Sequence, residues 1–126
     1  MANRFLQQFM HSFEHKPVKI FGSILVGGSG AVTSFTGNGV TSVTKESGAG
    51  TYTILLNDAY SAFLGVNVVH EVATAEELVI QLISHNVAAA SKTVVIGCST
   101  SGTLANPASG TILYFEITLR NSSVTR

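Results

Sequence analysis

The chain has 126 residues, enough for one domain with a modest core and too few for two. Charged side chains make up only 11% of it against 45% apolar, and seven basic residues cancel seven acidic ones. That balance leaves no dense cationic stripe for phosphates, so no nucleic-acid partner is expected. No apolar run nears the roughly 18 residues that span a bilayer, so no membrane partner is expected either.

A chain with so little charge has little to hold its copies apart, and a homo-oligomer or a part of a larger assembly is the expectation. Residues 1–16 read as an N-terminal arm. Within it Phe5, Leu6, Phe9, Met10 and Phe13 fall on one stripe of a helix, and Lys16-Pro17 ends the pattern because a residue before proline is pushed out of the α region. A helix this short is marginal alone in water, so the stripe has to dock, either on its own domain or on a neighbour. These five residues are the candidate interface. The start of the chain is too polar for a signal peptide, so synthesis and folding in a cytoplasm are expected.

From residue 17 to 126 the pattern is that of an all-β domain. Val18-Lys19-Ile20-Phe21 and Ile24-Leu25-Val26 are β-type runs, closed by Gly27-Gly28-Ser29-Gly30. Strands over 31–36 and 40–44 flank Gly37-Asn38-Gly39, whose residues tolerate positive φ. A further strand is expected over 51–56, a turn over 57–60, and an alternating strand over 64–72. Thr74-Ala75-Glu76-Glu77 resembles a helix capping box, yet Val79, Ile80 and Ile83 are β-branched and Leu78, Ile80 and Leu82 alternate, which favours a strand. Another strand is expected at 93–96, then a loop from Ser99 to Gly110. The last strand is the clearest, with Leu113, Phe115, Ile117 and Leu119 on one face and Tyr114, Glu116 and Thr118 on the other. About eight short strands at this spacing predict a small sandwich or barrel.

No arrangement of residues stands out as catalytic, and no cofactor, metal or enzymatic activity is expected. Glu76 and Glu77 would point to opposite faces of a strand, and so would His70 and Glu71. His11 and His15 share a helix face but form no HExxH pattern, and His85 reads as exposed near a turn. The run Gly27-Gly28-Ser29-Gly30 lacks the Gly-Lys-Ser/Thr ending of a phosphate loop and reads as a tight turn. A lone cysteine, Cys98, makes no internal disulfide and reads as a small buried hydrophobe. Asn121-Ser122-Ser123 matches a glycosylation sequon, which matters only for a secreted chain.

The segment from Gly50 through Thr51-Tyr52-Thr53-Ile54-Leu55-Leu56-Asn57-Asp58-Ala59 to Tyr60, preceded by Val43-Thr44-Lys45 and Gly48, resembles a stretch of small virion proteins of tailed bacteriophages. Lys92-Thr93-Val94-Val95-Ile96, Asn106-Pro107-Ala108-Ser109-Gly110 and Leu119-Arg120-Asn121-Ser122-Ser123 extend the resemblance to about residues 40–123. Its motifs are mostly turn and strand chemistry, and it leaves out the arm. The resemblance implies a virion structural protein of the capsid decoration (cement) type. Such a protein sits on the outer capsid surface, often as a trimer, with the major capsid protein or another virion protein as partner. A head- or tail-fibre domain that binds a receptor or glycan is the alternative. Deleting residues 1–15 is expected to leave the β circular-dichroism signal intact while weakening oligomerisation or attachment; loss of that signal would place the arm in the domain's own core.

Overall fold

The computed structural model describes residues 17–88 and 91–120, so the arm and its five candidate interface residues lie outside the described part. Among the described residues nine strands run in chain order: β1 (Pro17–Val26), β2 (Val32–Gly37), β3 (Val40–Lys45), β4 (Thr51–Leu56), β5 (Ala62–Glu71), β6 (Val79–Asn86), β7 (Thr93–Thr100), β8 (Thr103–Leu104) and β9 (Ile112–Arg120). They form two antiparallel sheets. The first is ordered β2-β1-β9-β5 and the second β3-β4-β7-β6, with the short β8 pairing with β7. The all-β expectation holds, and the architecture is a small sandwich.

The alternating strand anticipated at the C-terminal end sits in the middle of the first sheet. β9 pairs with β1 from Pro17↔Arg120 to Leu25↔Ile112, and with β5 from Ala62↔Arg120 to Glu71↔Ile112. Leu113, Phe115, Ile117 and Leu119 are buried, whereas Tyr114 is exposed. Across the sandwich they meet Tyr52, Ile54 and Leu56 of β4 and Val94, Ile96 and Cys98 of β7, all fully buried. Each large apolar side chain buried this way stabilises the fold by about 1.5–3 kcal/mol. The two runs read around Gly22 are one strand. Gly22 faces Phe115, and a side chain there would meet the ring at 2.4 Å, so glycine makes room for the aromatic.

Two local readings are corrected, and a third is extended. Residues 99–110 are not wholly loop: β7 continues through Thr100, turns at Ser101-Gly102 and returns as β8. The stretch 74–78 has neither helix nor strand, and the strand begins at Val79, where the β-branched residues begin. Gly37-Asn38-Gly39 turns the chain from one sheet to the other, since β2 and β3 do not pair.

Opposite the end where Pro17 and Arg120 pair, three connections are bolted together. The Tyr52 hydroxyl donates to the Gly30 carbonyl at 2.6 Å, tying β4 to the turn that follows β1. Gly50 N–H donates to Asn106 Oδ1 at 2.8 Å, and Cys98 N–H donates to the Gly50 carbonyl at 2.7 Å. Gly50 has φ +67, and a Cβ there would lie 2.4 Å from the Ala105 carbonyl oxygen and 2.5 Å from that of Cys98. Both neighbours are backbone and cannot move aside. Gly50→Ala is therefore expected to cost about 3 kcal/mol or more in urea unfolding. Gly48→Ala, with open space around it, is expected to change stability by about 0.5 kcal/mol or less. Equal effects of the two substitutions would refute this account of the corner.

Candidate interaction surface

Among the described residues are His70, His85, Glu71, Glu76, Glu77 and Cys98. No cluster of three or more His, Cys, Asp or Glu side chains is placed to hold a metal ion among them. His70 is half-buried on β5. Its neighbour Glu71 points the other way and accepts a hydrogen bond from the exposed Tyr114 hydroxyl at 2.9 Å, which raises the Tyr114 pKa. His85 is exposed, as read, but lies within β6 and stacks on Phe63 with ring centroids 4.3 Å apart. Glu76 and Glu77 are kept apart by a route other than strand alternation, since both precede β6. Glu77 takes hydrogen bonds from Ser101 Oγ at 3.3 Å and, on its carbonyl, from Thr100 Oγ1 at 3.0 Å. Glu76 instead lines a cleft of about 380 Å³ formed by residues 72–76 and 108–111. The cleft has no aromatic and no cationic lining, and Glu76 is its one ionisable side chain.

Cys98 and Tyr52 are the titratable groups most changed by the fold, and neither reaches solvent. Burial foremost, with the nearby Glu76 charge second, pushes the Cys98 thiol up to about 11. Burial foremost, with Cys98 second, pushes Tyr52 up to about 12. A reactive cysteine needs the opposite shift. Both groups belong to the packing.

On the outer face of the first sheet Phe21 is 61% exposed, near Val69 and Tyr114, which pair with each other in register. One ion pair, Lys19–Glu116, crosses that face between half-exposed side chains. Such a pair contributes little to stability. In the second sheet Lys45 ends β3 and Glu46 accepts from Thr53 Oγ1 of β4, while β4, β6, β7 and β8 themselves contain no Lys, Arg, Asp or Glu. Val79 and Leu104 flank Ser99 in register, and Ile83 and Leu104 together cover Gly97. Val79, Ile83 and Leu104 are 49%, 49% and 44% exposed, so three neighbouring apolar side chains face outward beside a free sheet edge. The sequence offered no signal for this, because all three lie on strands and the place of β6 at the edge follows from the pairing of β7 with the distant β4.

No family model, no curated protein and no solved structure matches the chain. Among the described residues no helix is long and apolar enough to cross a membrane.

The pKa shifts set a pH window. Cys98 moves from an ordinary value of 9.0 to about 11 and Tyr52 from 10.0 to about 12, so the unfolded chain gives up these protons first. Their contribution to stability is complete below pH 9 and is lost as pH climbs from 9 through 12. Urea midpoints taken at steps from pH 8 to 12 should fall across that range, and Cys98→Ala should remove the thiol's share of the fall. At pH 8 a thiol reagent should label Cys98 only as fast as the protein opens. Rapid labelling of the folded chain would contradict its burial.

Proposed function

We propose that the chain is a virion structural protein, most simply a capsid decoration protein that binds the outer lattice of the assembled shell and stabilises it. The observation that carries the reading is the distribution of charge and apolar surface. The sandwich has a buried apolar interior, and its second sheet carries no Lys, Arg, Asp or Glu on β4, β6, β7 or β8 while presenting Val79, Ile83 and Leu104 outward. Both ends of the described chain, Pro17 and Arg120, pair with each other, so the arm with its phenylalanine stripe starts from one pole of a rigid body. A body that presents an apolar patch on one sheet face is suited to packing against neighbouring subunits.

A protein that binds only the assembled lattice stabilises it by mass action, with about 2.7 kcal/mol per site at a free concentration one hundred times Kd. The major capsid protein, or another virion protein, is the partner in this reading, and the shell surface is the location. A receptor- or glycan-binding head- or tail-fibre module has less support: the cleft at 72–76 and 108–111 offers no aromatic platform, and the exposed Phe21 and Tyr114 lie on an open sheet face.

The test compares particles assembled with and without the chain. The protein should copurify with particles at a fixed ratio to the major capsid protein, and particles lacking it should disrupt at a lower temperature. Its absence from particles, or turnover of a small molecule by the pure protein, would overturn the reading.

A further inference from the structure

We propose that β6 is a self-association edge, through which two copies of this chain join their second sheets across a two-fold axis. This goes beyond attachment to a shell and stands whether or not the chain coats one.

β6 is the terminal strand of its sheet, eight residues long, and pairs on one side only, with β7. Among the described residues no other backbone hydrogen bond reaches Val79–Asn86. A free edge of that kind is a row of unmet donors and acceptors, and proteins that stay apart blunt it with Lys, Pro, a short strand or a covering segment. β6 has no Lys and no Pro, and seven of its eight residues are exposed. The other edges are defended or poorer. β3 ends in Lys45 and β5 in Glu71, while β2 is six residues long and has mainly Thr and Ser beside Phe35.

A second copy fits this edge better than a charged or basic partner. A strand meeting itself across a two-fold runs antiparallel, so each residue's partner is fixed by the axis. Placed near Gln81, the axis sets the Glu76–Glu77 end of one copy beside the His85–Asn86 end of the other. No like charges then meet. The Val79, Ile83 and Leu104 patches of the two copies become neighbours on one face of a continuous sheet. The bulge between Leu82 and Ser84 is what turns Ile83 onto that face, over Gly97.

Gln81 is exposed on the outer face and touches none of the core, so it is the place to introduce charge. In sedimentation velocity with the full chain, the wild type should form a reversible dimer. Gln81→Lys and Gln81→Glu, each checked for a native circular-dichroism spectrum, should each weaken it by about tenfold or more, because each sets like charges across the axis. An equimolar mixture of the two variants should restore the dimer. A wild type that is monomeric at every concentration, or association that neither variant weakens, or weakening that the mixture does not rescue, would overturn the proposal.

Discussion

The register of β9 is the constraint on which the rest of the molecule depends. Its side chains alternate with a period of two, so a slip of one residue against β1 or β5 would turn Leu113, Phe115, Ile117 and Leu119 to solvent and bring Tyr114 and Glu116 into the core. That penalty locks β9 between two partners at once and so positions both. With β1 and β5 placed, the inner face of the first sheet is settled, and β4 and β7 have one surface against which Tyr52, Ile54, Val94 and Ile96 can pack. The corner of Tyr52, Gly30, Gly50 and Asn106 then closes the far end of the sandwich without leaving a buried polar side-chain atom unpaired among the described residues.

This core also sets the state of the buried titratable groups. The side chains most altered by the fold, Cys98 and Tyr52, are moved away from reactivity, and the scattered carboxylates are used one at a time: Glu71 by Tyr114, Glu77 by Ser101, Glu116 by Lys19. The surface is divided unevenly, with an ion pair on the first sheet's outer face and, on the second's, uncharged strands β4, β6, β7 and β8 with Glu46 reaching Thr53 from the connection after β3. In the proposed role that asymmetry assigns one face to assembly.

Where a strand's periodicity is strong and local, the sequence revealed it. β9 is legible because it lies at the centre of its sheet and from Leu113 to Leu119 its inner residues are aliphatic or Phe while its outer ones are Tyr, Glu and Thr. β6 was legible as a strand through Val79, Ile80 and Ile83, despite the acidic pair that mimics a helix start. β8 was not, since two residues carry no period, and the antiparallel return after Gly102 depends on Thr103 and Leu104 being held by Thr100 and Ser99 of β7. The passage between sheets at Gly37-Asn38-Gly39 was hidden too, because the same turn chemistry serves a hairpin. Least legible was the candidate surface. Which strand ends a sheet follows from pairings between residues far apart in the chain, and the exposure of Ile83 depends on a single bulge.

The most direct test of this account is native-state hydrogen exchange resolved to individual strands. The amides of 112–120 should exchange only through global unfolding, with a free energy equal to that from denaturant titration, while those of 79–86 in dilute protein should open locally and far faster. Exchange of β9 at the rate of an edge strand would mean that its register does not hold the fold together.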